Sequence, residues 1–320
     1  MKQYVIRRLL IMIPVFLGVT VIIFTLIQCA PGDPFSQLVE SGLTPEDREL
    51  RLRAIGYYDP LPIKYIKWLG EALHGNLGQS TNYLEPVTAV IGRRIGNTAI
   101  LSLASLVIST ILAIPLGVVS ATKQYSAFDY IATIIALFGI SIPAFFLALM
   151  LVKFLAIDLE IFPVSGIETA SSHYTGVKRT LDILHHMVLP LITLVFTSTA
   201  SLMRYTRSAM LEVMQQDYIR TARAKGLSEG VVVYKHALRN AMVSISTLIT
   251  MQLGSLLSGA VLTETVFVWP GMGTLLYQAV GHRDYNLVVG CSSVIAICVL
   301  LANLLSDILY AVIDPRIRYN

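Results

Sequence analysis

Residues Tyr218–Asn240 read YIRTARAKGLSEGVVVYKHALRN, a polar and basic island between two long apolar runs. Across Arg204–Arg239 seven basic residues (Arg204, Arg207, Arg220, Arg223, Lys225, Lys235, Arg239) face three acids (Glu212, Asp217, Glu229). That net charge of +4 equals the formal charge of the whole chain. Ala222 and Ala224 precede Gly226, a residue suited to ending a short helix in a left-handed turn. Positive charge beside apolar runs is the mark of a loop on the cytoplasmic side of a membrane. The island therefore decides the fold class: an all-α membrane helix bundle.

Composition agrees. Apolar residues make up 55% of the 320, charged residues 14%, and the mean hydropathy is +0.68. Soluble domains carry roughly 25% charge. Six uncharged runs suit a ~30 Å hydrocarbon core, which needs ~20 residues: Leu9–Ala30, Thr98–Ala121, Ile131–Val152, Met187–Met203, Ala241–Leu262 and Leu287–Ser306. The fourth is the shortest. Helices are implied, because a lipid-exposed backbone must satisfy its own hydrogen bonds. With the N-terminus inside, the cytoplasmic pieces total +8 and the external ones −4, counting Lys153 and Asp307 as intramembrane. The predicted topology is six spans, N-in and C-in, as a single transmembrane domain over 1–320. An external lobe covers 31–97 and a cytoplasmic loop covers 204–240.

Along the chain, Lys2, Arg7 and Arg8 before the first run resemble a secretory leader, but that run exceeds the 7–15 residues of such a core, so a retained helix is expected. Leu26-Ile27-Gln28-Cys29 lacks the small residue that a lipoprotein cleavage box needs before its cysteine. The lobe opens on Pro31-Gly32-Asp33-Pro34, a chain reversal. Thr44-Pro45-Glu46-Asp47 reads as a helix start. Ile63–Leu73 places Tyr65, Trp68 and Leu69 on one face, fit for a membrane surface, and His74–Gly78 turns the chain. The lobe either faces an external partner or covers the pore mouth.

Pro14, Pro115, Pro143 and Pro190 fall inside spans and can kink them. In Gly139-Ile140-Ser141-Ile142-Pro143, Ser141 and Pro143 mark a bend that either lines a pathway or serves packing. Gly254, Ser255, Ser258 and Gly259 allow close helix approach. Glu264 stands beside the outer end of the fifth span, as a gate or substrate contact, or as a loop cap. Asp307 lies near an inner end, where a carboxylate is costly unless paired or wet. Pro143, Ser141, Glu264 and Asp307 are the candidate pathway residues.

Several chemistries are missing. The chain has no Gly-Lys dipeptide and hence no phosphate-cradling P-loop, no HExxH and no GxSxG elbow. The spans hold no ionisable group near the midplane, as a proton- or sodium-driven transporter requires. Lys153 at an outer end snorkels. Cys29, Cys291 and Cys298 show no disulfide or metal spacing, and neighbours such as His185 and His186 cannot face one metal from a regular helix. Basic charge beside a membrane needs no nucleic acid to explain it. The driving force must come from another subunit, with no catalytic residue, cofactor or metal in this chain.

The island YIRTARAKGL…HALRNA resembles the cytoplasmic "EAA" loop of bacterial ABC-importer permeases, in the variant of the dipeptide/oligopeptide/nickel branch, most like its dipeptide B-type subunit. The broader family pattern has Glu at the position of Arg220 and Pro at that of Arg239, departures the peptide branch shares. The layout of PGDP, a helix and HGNLG resembles that branch too. So do Thr263–Gly273 (TETVFVWPGMG) and the ending Asn303–Tyr310 with Asp314-Pro315-Arg316-Ile317-Arg318. The resemblance spans nearly the whole chain, weakest over 158–186. It implies an inner-membrane permease subunit working by alternating access for di- or oligopeptides, with nickel, a metallophore or glutathione as alternative cargo. It implies a second, related permease, two ATPase subunits carrying ATP and magnesium, and an external substrate-binding protein. Its coupling helix would dock on the ATPase through Thr221, Ala222, Ala224, Gly226 and Leu227, with Arg220, Arg223 and Lys225 around them. An autonomous channel or secondary transporter is the reading from another class; it predicts that the chain alone moves solute.

Overall fold

The computed structural model describes residues 2–29, 44–54 and 56–313. These are helical apart from turns and one isolated bridge, Gln79 to Pro86. In order come α1 (Lys2–Cys29), α2 (Pro45–Ala54), α3 (Leu61–Leu73), α4 (Val87–Thr122), α5 (Ala127–Ser141) and α6 (Ala144–Leu151), which continues as a π-helical turn over Val152–Asp158. Then follow α7 (Gly176–Met214), α8 (Asp217–Ala224), a second π-helical stretch over Val231–Leu238, α9 (Arg239–Val266), α10 (Met272–Gly281) and α11 (Tyr285–Ile313).

Among the described residues, four helices, α1 from Val5, α4, α7 and α11 to Ile308, are long and apolar enough to cross a membrane. The predicted third span, Ile131–Val152, is not one straight helix. It is broken at Ile142–Pro143, and its halves meet at 102°. Ile142 is extended (φ −77°, ψ 128°), as a residue before proline prefers, and Pro143 (φ −61°, ψ 131°) opens α6. Counted as one span, this pair brings the number to five. α9 runs 28 residues without a charged side chain between Arg239 and Glu264. The short fourth run lies inside a helix of 39 residues, because the polar residues flanking it keep helical phase.

α4 and α7 form the most extensive helix pair. Gly117 makes it possible: a Cβ there would stand 2.6 Å from Thr206 Cβ and 2.9 Å from the Met203 carbonyl. Helices α1 and α11 pack together, and α9 lies across α7, α4 and α11. Two of the buried apolar cores matter most here. The core at the island end joins α4, α5, α7, α8, the second π stretch and α9. Another joins Ala148, Val152 and Ala156 to Leu189 and Phe267.

In residues 44–97 the expected helix start at Thr44 and turn after α3 are present, while Tyr65 and Trp68, expected at a membrane surface, pack on α1. Thr44 Oγ1 accepts the Asp47 N–H at 3.1 Å and so caps α2. Tyr65 and Trp68 of α3 cluster with Phe24 of α1, and Thr20 and Tyr65 share a hydrogen bond at 2.9 Å. Gly75 and Gly78 take φ +83° in the turn after α3. The reversal at 31–34 and the tail 314–320 lie outside the described residues, as do the side chains of 253–260 with their small-residue stretch.

Candidate functional site

Within the island, α8 is a short helix with one inward face. Ile219 and Ala222, three apart, are buried; Tyr218, Arg220, Thr221, Arg223 and Ala224 are exposed. Asp217 in the first turn and Arg223 in the last complement the helix dipole. The end is a Schellman motif: Gly226 N–H donates to the Arg223 carbonyl at 2.9 Å and Leu227 N–H to that of Ala222 at 3.4 Å. Gly226 has φ +76°, the left-handed turn expected of it.

The predicted residues divide by face. Ala222 points into this chain's own core, so it holds α8 down and adds no outward surface. Thr221 donates its hydroxyl to the Asp217 carbonyl at 3.0 Å. Arg220 lies 3.5 Å from the Asp217 carboxylate, both exposed. Arg223 makes a forked pair with Glu229 at 2.8 and 3.3 Å, tying α8 to the following turn. Lys225, Gly226 and Leu227 form an exposed corner. The outward surface is thus small, basic and rigidly ended.

Beneath it, Ile219 and Ala222 share a core with Val118 and Ala121 of α4, Ala136 of α5, Met210 of α7 and Val232 and Ala237 of the second π stretch. Beside this core stands a group that charge counting missed. Asp129, 3% exposed, accepts a fork from Arg207 (Nε 2.7 Å, Nη2 2.8 Å), the Tyr125 N–H at 3.0 Å and the Ser120 hydroxyl. In sequence, Asp129 merely offsets Lys123, and nothing local links it to Arg207.

The pathway candidates scatter. Glu264 is fully buried. It accepts from Thr98 Oγ1 at 2.6 Å and from the N–H groups of Gly273 and Thr274 at 2.7 and 3.3 Å. It therefore caps the start of α10 in this chain. A Cβ at Gly271 would lie 2.2 Å from its Oε1, so the TETVFVWPGMG glycines make room for this carboxylate. Asp307 pairs with Arg8 at 3.0 Å, joining α11 to α1. Ser141 and Pro143 sit at the α5–α6 bend and are exposed on the single chain. Lys153, expected to snorkel, pairs with Asp158. At the lobe end buried Asp284 accepts from Ser80 Oγ, the Asn82 N–H at 3.1 Å and the Leu287 N–H at 3.1 Å, which pins the 78–86 turn to the start of α11. Among the described residues, no group of three His, Cys, Asp or Glu side chains could hold a metal.

Residues 113–319 match the family described as binding-protein-dependent transport system inner membrane component, and residues 1–104 match its N-terminal companion. The oligopeptide transport system permease protein AppB of Bacillus subtilis is 40% identical over all of both chains. The dipeptide transport system permease protein DppB of Escherichia coli K12 is 39% identical over 100% of this chain and 99% of its own. A putative peptide permease protein of Brucella suis is 43% identical over 99% of each. Among solved structures, an inward-facing MetNI methionine ABC transporter superposes with a TM-score of 0.54 at 18% identity, covering 70% of this chain and 96% of that one. That last likeness speaks to the fold alone.

Proposed function

Because the chain belongs to the family of binding-protein-dependent transport system inner membrane components, we propose that it is a permease subunit of an ATP-driven importer of di- or oligopeptides, with α8 as its coupling helix. It is a multi-pass inner-membrane protein and a non-catalytic member of its transporter. The observation that carries the coupling role is α8 itself. Ile219 and Ala222 seat it on the bundle core, Gly226 ends it sharply, and its basic outer face is left for another protein.

Six spans, N-in and C-in, place the island inside and the lobe outside. This reading takes the bent pair as one span and adds α9. Two ATPase subunits, holding ATP and magnesium, dock on α8 of this chain and of a second, related permease. Their closure moves α8, and the bundle alternates between inward- and outward-open states. Nucleotide can shift that equilibrium only if the docked states bind it with different free energies. The exposed apolar face of α5 and α6, with Ile134, Phe138, Phe146 and Leu149, is left for lipid or the second permease. The lobe, braced by Asp284 and by the Phe24–Tyr65–Trp68 cluster, offers a firm platform for a substrate-binding protein. Relatives about 40% identical carry oligopeptide and dipeptide names, which supports peptide cargo over nickel or glutathione.

The test is reconstitution. The chain with its partner permease, ATPases and binding protein should import labelled peptide into liposomes only with ATP. Uptake by the chain alone would overturn the reading. Mass spectrometry of the ligand retained by the co-purified binding protein decides the cargo, and bound nickel or glutathione would overturn the peptide assignment.

A further inference from the structure

The Asp129–Arg207 pair has no part in the functional reading so far, yet Asp129 accepts from Ser120, Tyr125 and both arms of the Arg207 fork. Asp129 opens α5. Its partners come from the end of α4 (Ser120), the α4–α5 turn (Tyr125, held at φ +63°) and α7 (Arg207). Beyond Arg207, α7 runs on to Met214 and meets α8 after a two-residue turn. α5 is thus fastened to the stretch of α7 that leads directly into α8.

α5 touches this body in two other ways, both apolar. Ala136 joins the shared core, and Gly139 lets Ala200 and Phe196 approach so closely that a Cβ would stand 2.8 Å from Ala200 Cβ. Between helices in a bilayer, apolar contact is packing without a hydrophobic driving force and lacks the directionality of a charged fork. A forked ion pair is directional, and its register is fixed because Asp129, buried while Arg207 stays partly exposed, would be an unpaired buried charge without it. At its other end, α5 stops at the 102° bend, and α6 belongs to the different core built on Leu189 and Phe267. Pro190 lies on α7 between the residues serving the two cores.

We propose that Asp129 and Arg207 are positioning residues that make α5 travel with the coupling helix, and that the bend at Ile142–Pro143 is the joint where this motion passes to α6. The inference rests on α8 being the ATPase-docking helix. On this view ATP-driven displacement of α8 turns α4, the inner end of α7 and α5 as one body against the outer core.

The test uses the complete importer in liposomes, with Cys29, Cys291 and Cys298 replaced by serine. The variant carrying Asp129→Cys and Arg207→Cys should keep its ATPases and their ATP hydrolysis. It should lose about tenfold in peptide moved per ATP, within the range of ordinary coupling energies. Joining the two thiols with a short bis-maleimide should restore most of that loss, which a merely structural role would not predict. Should this variant fail to reach the membrane, Arg207→Lys decides, since it keeps the charge and gives up the fork; a smaller loss of coupling is expected. Unchanged transport per ATP in the untethered variant or in Arg207→Lys would overturn the proposal, as would a tether that leaves transport lost while hydrolysis continues. Failure of the unaltered importer to retain its ATPases would instead overturn the docking reading beneath it.

Discussion

Gly226 shows how much one backbone angle decides. It holds φ +76° with open space where a Cβ would sit, so substitution there costs conformation and not room. A non-glycine residue in the left-handed region costs about 1–2 kcal/mol, least for Asn and most for β-branched residues. Gly226→Val should therefore uncouple ATP hydrolysis from transport while membrane insertion is kept, and Gly226→Asn should stay close to wild type. Peptide import per ATP checks both; normal coupling in the valine variant would count against α8 as a rigid handle. Glu264 makes a second case. Its removal leaves the donors from Thr98, Gly273 and Thr274 without an acceptor, and a buried unpaired group costs about 1–3 kcal/mol. Glu264→Ala should lower the melting temperature of the purified complex clearly more than Glu264→Gln, whose amide oxygen can still accept from Gly273. Equal melting of the two would remove the capping role. The Gly226 turn was legible in sequence because a Schellman motif is local. The burial of Glu264 against Thr98 was not, because Thr98 stands 166 residues away.

At the scale of elements, counting apolar residues located the helices and missed their ends and breaks. Hydropathy cannot see a bend, because a single proline at 143 hardly lowers the average of the apolar residues around it. The Gly139–Pro143 run betrayed the break through backbone chemistry alone. Asp129 and Arg207 were invisible as a pair, being 78 residues apart and each counted with its neighbours. Pro143→Ala gives α5 and α6 the option of a continuous helix. We expect import to fall severalfold with ATPase co-purification unchanged; full import would show that the bend has no part in transport. The exposed cations of α8 make the complementary prediction. Arg223 is already engaged by Glu229, whereas Lys225 lies on the open corner. Reversing both to Glu should weaken ATPase co-purification, more so in low salt, where screening is weaker. Unchanged recovery in moderate salt would remove these side chains from the docking surface.

For the molecule as a whole, the charge bias predicts which side each end faces. In a cysteine-free background, Leu84→Cys in the lobe and Tyr234→Cys in the island place single thiols at well-exposed positions. An impermeant maleimide added to intact cells should label position 84 and spare 234, and permeabilised cells should label both. The opposite pattern would reverse the topology and remove α8 from the reach of any cytoplasmic protein. One dimension of the bundle then takes on meaning. With 39 residues at about 1.5 Å each, α7 is roughly 58 Å long, close to twice the hydrocarbon thickness it crosses. A rod that length pivoting at mid-bilayer has arms of roughly 29 Å. A tilt of only about 5° then sweeps its tip through roughly 2.5 Å, by the same geometry. On such a pivot the two arms are equal, so a displacement of one tip would reappear undiminished and reversed at the other, and no helix would need to unwind for the two sides of the membrane to move together.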